Sequence, residues 1–287
     1  MMMNHNLSIF ISVAEIGSIT KAAKTLFITQ PAVSNAIHKL EKELDVRLFY
    51  RDKRNGLILT EVGQRVLTLA REMLALDNRI RQAALNDKGL IGGHLRIGTL
   101  PSLTATVVTQ TLQEYRQLYP EVVIEIKEGH PREINEMVAN HRVDLAVSAG
   151  PYGQFDHEKL LTDRIIAACS SGHRELSELN LTTTNETLVF NQPAFETILD
   201  NLNRRQPFVD MRQVIMVQSA EAAMAMVKAD IGVGIISEYT LDSLGENLQK
   251  CPVTPIVNFD IGVFANDLSD VSPAAKEFIR ILKLQAK

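Results

Sequence analysis

The sequence has no tryptophan, 5% aromatic residues and two cysteines, Cys169 and Cys251, in 287 positions. Two thiols so far apart make no disulfide framework and no Cys-x-x-Cys metal clip, and each reads as a small buried hydrophobe. No apolar run approaches the roughly 18 residues of a membrane helix. Met1 to Asn6 offers neither a basic nor an apolar leader region, so no secretory signal is read and a cytoplasmic setting is expected. Catalytic signatures are missing as well: no G-x-S-x-G elbow, no G-x-x-x-x-G-K-[ST] loop, no H-E-x-x-H and no G-x-G-x-x-G. Seven histidines (His5, His38, His94, His130, His141, His157, His173) are scattered, none at metal-ligand spacing from another histidine or a cysteine. No metal site and no cofactor are therefore expected. Ser170-Ser171-Gly172-His173 reads as a polar turn, since nothing marks Ser171 as an activated nucleophile.

The composition is that of a globular chain, 45% hydrophobic and 22% charged, and the length suggests two domains or three small ones. The net charge of −4 carries no overall basic excess, but it is unevenly spread. Residues 1–60 hold eight Lys/Arg and five Asp/Glu, a net +3 that leaves −7 for the remainder. A basic head on an acidic body fits a nucleic-acid contact confined to one end.

Residues 4–58 read as short helices. Leu7, Phe10, Ile11 and Ala14 keep a helical period. Gly17-Ser18 ends that helix, and Ser18 is a natural N-cap for a second with Ile19, Ala22, Ala23 and Leu26 inside. Thr29 caps a third, where Pro31 is tolerated in the first turn. Ala32, Val33, Ala36, Ile37, Leu40 and Leu44 form its inner face, and Gln30, Ser34, Asn35 and His38 its polar outer face. Two helices joined by a short turn make a helix-turn-helix. A helix fits the major groove of B-DNA, where Gln or Asn bonds adenine bidentately, and the N–H groups near Thr29 suit a phosphate. Residues 51–59 read as a two-stranded ribbon turning at Asn55-Gly56, a wing that carries Arg51, Lys53 and Arg54 to the flanking backbone. The alternative is a merely solvated helix face.

Residues 60–88 predict one long helix. Val62, Val66, Leu69, Met73, Leu76, Ile80 and Ala83 step by 4 and 3 in alternation, a heptad seam that suits a helix–helix dimer; the alternative is an amphipathic helix packed on its own domain. Asp87-Lys88-Gly89 and Ile91-Gly92-Gly93 read as its end and a linker. Beyond, the period changes. Strands are predicted at 95–98, 122–127, 143–147, 164–169, 188–190, 214–217, 232–236 and 260–264. Helices are predicted from Pro101 to about Tyr119 and at 131–140, 193–204, 219–229, 238–244 and 272–285. That alternation is an α/β pattern with parallel sheet. Gly232 and Gly234 mark a strand where backbone approaches something closely. At Thr99–Ser102 a strand ends and a helix begins, so free N–H groups and two hydroxyls face a crevice that suits an anion.

Phe10, Val13, Ala14, Gly17-Ser18, Ala22-Ala23, Leu26, Thr29-Gln30-Pro31-Ala32-Val33-Ser34, Ile37, Leu40-Glu41, Leu44, Leu48-Phe49, Arg51, Leu59-Thr60 and Gly63 together resemble the N-terminal signature of LysR-type transcriptional regulators. The likeness is dense over about 65 residues. It continues more thinly through Gly93–Gly98, Tyr119–Val122, Glu128-Gly129, Val143–Val147 and Gly232–Ile235. The resemblance implies α/β architecture with a mainly helical winged helix-turn-helix (1–60), a linker and dimerisation helix (61–92) and an effector domain (93–287). That domain would be two Rossmann-like lobes of the type II periplasmic-binding-protein kind, lobe I about 93–162 and 266–287, lobe II about 163–265. The crossings would fall near Thr162-Asp163 and Ala265-Asn266.

The resemblance further implies double-stranded operator DNA, a second copy of the chain (up to a homotetramer), RNA polymerase and a small-molecule co-inducer as partners, in the cytoplasm at the nucleoid and with no membrane. Ser18, Thr29, Gln30, Pro31, Ser34, Asn35, His38, Arg51, Lys53 and Arg54 are the DNA-binding candidates. Val62, Val66, Leu69, Met73, Leu76 and Ile80 are the dimerisation candidates. By position, Thr99, Pro101, Ser102, Glu128, Ser148, Ala149, Asn191, Gln218 and Ser219 should line the effector cleft. His141 stands where family members often have Gly, Ser237 where Pro is common, and Asn35 and His38 where Arg or Gln is. The cysteine spacing is unlike that of the peroxide-sensing branch. Two other readings stay open: an α/β enzyme or solute-binding protein with an accessory head, and an architectural DNA-binding protein without a ligand.

Overall fold

Helical periods at the front of the chain become helices, two of them started by side-chain caps. In the computed structural model, which describes residues 2–52, 56–86, 91–172, 177–202, 209–243 and 248–286, the chain forms two units: Met1–Arg81 with Asn140–Arg142, and Gln82–Ala139 with Val143–Lys287. Among the described residues no helix is long and apolar enough to cross a membrane.

The first unit holds α1 (Met2–Ile16), α2 (Ile19–Thr25), α3 (Gln30–Leu44), a hairpin of β1 (Phe49–Asp52) and β2 (Gly56–Leu59), and the greater part of α4 (Glu61–Asn86). Ser18 caps α2 by accepting from Lys21 N–H, and Thr29 caps α3 by accepting from Ala32 N–H, both at 3.4 Å. The core comprises Leu7, Phe10 and Val13 of α1, Ala22 and Ala23 of α2, and Val33, Ala36, Ile37 and Leu40 of α3. Ala32 and Leu44, expected inside, are exposed: they stand at the two margins of the stripe, and α1 and α2 cover only its centre. The hairpin pairs Phe49 with Leu59 and Asp52 with Gly56. Asn55, Lys53 and Arg54 lie outside the described residues, as does His173.

The second unit is built on β3 (Gly93–Thr99), β4 (Val122–Glu128), β5 (Leu145–Ala149), β6 (Asp156–Cys169), β7 (Leu179–Asn180), β8 (Leu188–Asn191), β9 (Val214–Val217), β10 (Val233–Ser237), β11 (Gln249–Thr254) and β12 (Asn258–Ala265). The helices are α5 (Pro101–Leu103), α6 (Thr109–Leu118), α7 (Pro131–Ala139), α8 (Gln192–Asn201), α9 (Ala220–Lys228), α10 (Glu238–Ser243) and α11 (Pro273–Gln285). The single helix expected from Pro101 to Tyr119 is broken by a π turn at Thr104–Val108, where Thr106 leaves helical geometry (φ −117°, ψ −107°); its hydroxyl donates to Ser102 C=O at 2.8 Å. β7 and β11 have no counterpart in the sequence reading. The first has two residues, and Pro252 interrupts the second.

The strands run β4-β3-β5-β12-β6-β10-β8-β9, with β11 on β6 and β7 on β11. β6 is shared: Asp156–Arg164 pair antiparallel with β12, and Ile165–Cys169 pair with β10 and β11. It divides the unit into two lobes with separate cores. The first gathers Leu95, Ile97, Leu145, Val147, Val263, Phe264 and Phe278; the second gathers Ile165, Ala167, Leu188, Phe190, Ile198, Val233 and Ile235. The first crossing falls at Asp163–Ile165, where β6 changes partners. The second lies ahead of β12, at 255–257, and not at Ala265-Asn266: Ile261, Val263, Phe264 and Ala265 belong to the first core. Sheet pairing decides this, because an apolar strand reads alike in either lobe. The expected close approaches are real. A Cβ at Gly232 would sit 2.4 Å from Thr187 C=O, and one at Gly234 would sit 2.7 Å from Val227 Cγ2. His141 adopts φ +51°, the left-handed region where glycine is the cheap residue.

Candidate nucleic-acid interface and effector cleft

Burial of one stripe of α3 fixes what the opposite stripe shows. With Val33, Ala36, Ile37 and Leu40 inside, the polar candidates Gln30, Pro31, Ser34, Asn35 and His38 are all exposed along one side, beginning at the capped N-terminus. Ser18 puts a second capped N-terminus in the same unit. Arg51 lies in β1, paired across the hairpin with Leu57.

Residues the sequence reading did not single out fix this geometry. Glu41 of α3 turns inward and accepts from Leu48 N–H at 2.8 Å and Phe49 N–H at 3.4 Å, tying α3 to the first residue of β1. The Thr60 hydroxyl donates to Arg47 C=O at 2.7 Å and accepts from Gly63 N–H at 2.9 Å, starting α4. Gly63 packs so tightly on that turn that a Cβ would lie 2.2 Å from Leu48 C=O. Phe27, in the turn before α3, has φ +54° and is 96% exposed. No hydrophobic period marks such a residue.

On α4, Leu67, Ala70 and Arg71 face inward, and Arg71 meets Glu15 of α1 at 2.9 Å. The heptad positions point elsewhere: Leu69 is 64% and Ile80 70% exposed, with Met73 and Leu76 also exposed and Val62 and Val66 half-buried. The same helix thus carries an inward face and a separate uncovered apolar stripe.

In the second unit the lobes meet along a narrow crevice of about 30 Å³. Leu100, Ser102, Leu103 and Ala149 line it from one lobe, and Ile165, Asn191, Pro193, Thr197 and Ile236 from the other. Phe259 and Ile261 of β12, Ala194, Ser237 and Thr240 complete it. Of the nine residues expected there, Ser102, Ala149 and Asn191 line the crevice. Thr99 and Ser148 do not: both are buried, and the Thr99 hydroxyl turns back to Leu100 C=O at 3.4 Å. Nor do Pro101, Glu128, Gln218 or Ser219. Gln218 donates to Gln192 at 3.1 Å, and Ser219 caps α9 by accepting from Ala222 N–H at 3.2 Å.

Asp163, unforeseen, is buried at the first crossing. Its carboxylate accepts from Arg164 N–H at 2.7 Å, from Tyr239 N–H at 3.0 Å and from the Ser237 hydroxyl. Burial pushes its pKa above the ordinary 3.8. Here the departure at Ser237 has a reason: proline offers no hydroxyl to that carboxylate. Next to it, Arg164 grips Glu238 with two bonds of 2.5 and 2.9 Å, which holds the Glu238 pKa down. Cys169 and Cys251 come onto neighbouring strands of the second core. Burial pushes the Cys169 thiol up to about 11 and raises that of Cys251, so both stay protonated near neutral pH. Among the described residues no group of three His, Cys, Asp or Glu could hold a metal ion.

A winged helix-turn-helix followed by a two-lobed α/β domain defines a ligand-sensing type of DNA-binding regulator. The chain belongs to the LysR family of transcriptional regulators: the LysR substrate binding domain model matches residues 88–287, and that of the bacterial regulatory helix-turn-helix protein, lysR family, matches residues 5–64. It is 37% identical over 286 residues to the uncharacterized HTH-type transcriptional regulator YoaU of Bacillus subtilis (strain 168), covering 99% of this chain and 98% of that one. It is 30% identical to YvbU of the same strain, with 96% of each chain covered. Among solved structures it is similar to a full-length OxyR variant from Pseudomonas aeruginosa (TM-score 0.72, 18% identity, 100% and 94% coverage) and to full-length CbnR complexed with its target DNA (TM-score 0.61, 17% identity, 98% and 99% coverage). These two likenesses show the fold.

Proposed function

We propose that the chain binds operator DNA as a dimer or a pair of dimers, reads bases through α3, and responds to a co-inducer in the crevice between the lobes of its effector domain. The observation that carries this reading is the outer side of α3. Its polar residues are exposed from a capped N-terminus onward, the end of a recognition helix that meets base edges. In this reading Gln30, Ser34, Asn35 and His38 face the bases. Ser18, Thr29 and Pro31 present helix N-termini to phosphates, and Arg51, Lys53 and Arg54 follow the flanking backbone. The uncovered stripe from Leu69 to Ile80, with Val62 and Val66 half-buried ahead of it, supports self-association through α4.

In the effector domain the reading keeps Ser102, Ala149 and Asn191 as ligand contacts. A ligand that prefers one lobe arrangement shifts the population towards it, and so the spacing of the DNA heads. RNA polymerase is the further partner, the cytoplasmic nucleoid the setting, and the protein acts by binding and not by catalysis.

Selection of bound fragments from random DNA, with and without a metabolite extract, tests both halves. The expected result is a two-fold-related site whose occupancy or spacing changes with the extract. Gln30→Ala or Ser34→Ala should weaken the selected site by about 1–3 kcal/mol and relax one position per half-site. An unchanged footprint would remove α3 from the groove.

A further inference from the structure

We infer that the crevice is built for a compact, uncharged and mostly apolar ligand whose hydroxyl or carboxamide is held by Asn191, and not for the anion that the Thr99–Ser102 sequence suggests. The inference rests on the reading of the crevice as the effector site.

Charge is the first argument. Among the described residues, no lysine, arginine or histidine lines the crevice. Directly behind the wall lies a carboxylate, since Ser237, a lining residue, donates its hydroxyl to buried Asp163. A buried anion without a cationic partner is costly, and here it would face a second negative charge. A cationic ligand fares no better. The Asp163 oxygens are occupied by two backbone N–H groups and the Ser237 hydroxyl, so no carboxylate is offered to the crevice.

Hydrogen bonding is the second. Most of the polar lining is already engaged. Thr197 donates to Pro193 C=O at 2.9 Å, and the Ser237 and Thr240 side chains bond each other at 3.0 Å. Asn191 differs. It is 6% exposed, and its Oδ1 has no hydrogen-bond partner. A buried acceptor left unmade is unfavourable, and this one calls for a donor. Asn191 also stands at the N-cap of α8 without capping it, and Pro193 removes one N–H from that first turn. The backbone N–H groups that remain suit a neutral acceptor on the same ligand group. A hydroxyl or carboxamide supplies both donor and acceptor. Apart from Ser102, the rest of the wall, including Leu100, Leu103, Ile165, Ile236, Phe259 and Ile261, is apolar.

Three probes of one shape and different charge, each larger than the closed crevice and so admitted only as the lobes part, test this on the full chain by ligand-observed NMR: benzamide, benzoate and benzamidinium. Benzamide should bind at least tenfold tighter than either ion. Asn191→Leu should cost benzamide tenfold and leave benzoate unchanged, and Ala149→Trp, which fills the crevice, should abolish benzamide binding. Circular dichroism of both variants shows that they are folded. Benzoate binding as tightly as benzamide, and lost in Ala149→Trp, would overturn the ligand class and leave the crevice as the site. Benzamide binding that survives Ala149→Trp would overturn the site itself. No binding of any probe at 10 mM, roughly the weak end of measurable affinity, would also overturn the inference.

Discussion

The head and the crevice solve opposite problems. The head works with side chains that its own fold does not need. Gln30, Ser34, Asn35 and His38 are exposed and belong to no core, so they can change without loss of packing. The crevice works with residues that are also structural. Ile165 belongs to a core, and Asn191 is buried beside one. Substitution on the outer side of α3 should therefore cost little stability, whereas reshaping the crevice requires repacking.

The largest effect that would break this contrast concerns assembly. Leu69→Asp with Leu76→Asp puts two charges into the apolar stripe of α4, where an unpaired buried charge is strongly unfavourable. The mass measured by light scattering should fall to that of one chain, with the chain's own helicity kept because both side chains already face outward. An unchanged mass would return α4 to a purely internal role. Next, Phe264→Ala in the first lobe should cost about 3–5 kcal/mol of stability in chemical denaturation, while Gln30→Ala leaves the unfolding curve in place. Equal losses in the two variants would erase the distinction.

Glu41 lies between the extremes, facing inward but serving the outward surface. Glu41→Ala strands the N–H groups of Leu48 and Phe49, at about 1–3 kcal/mol, and should weaken DNA binding and blur the preferred half-site spacing. Glu41→Gln, which keeps an acceptor, should recover most of both. The smallest effect is one of pH. Because burial raises the folded-state pKa of Asp163 above 3.8, folding favours its protonated form. Its contribution to stability is fullest below 3.8 and is lost as pH rises through the raised value. The stability of wild type relative to Asp163→Asn should thus improve on acidification across that window, read as the difference between two unfolding midpoints. A flat difference would mean that the three hydrogen bonds fully offset burial.

How far the sequence reveals each region follows from how local its signals are. The head's caps, periods and turns involve neighbours three or four positions apart, so Ser18, Thr29 and the polar side of α3 are legible without the fold. Glu41 is not, because its partners lie seven and eight residues on, across a turn. In the crevice, strand ends are legible but not the way their side chains point. Thr99 and Ser148 fall on the buried side, and six of the nine residues expected in the cleft do not line this crevice. β12 is recognisable as a strand but is assigned to the wrong lobe, since alternation says nothing about which sheet a strand joins. The π turn at Thr104–Val108 disturbs a period of 3.6 too briefly to be read.

β6 is one of the joints between the lobes. It runs through both lobes as a single strand of 14 residues, bonded along its length to one sheet and then the other. A joint of that kind flexes like a leaf spring and does not swing like a door. Opening the crevice must spread a small twist over several paired residues, with Asp163 clamped at the midpoint. Such a joint favours a few degrees of rotation between the two lobes over a wide swing.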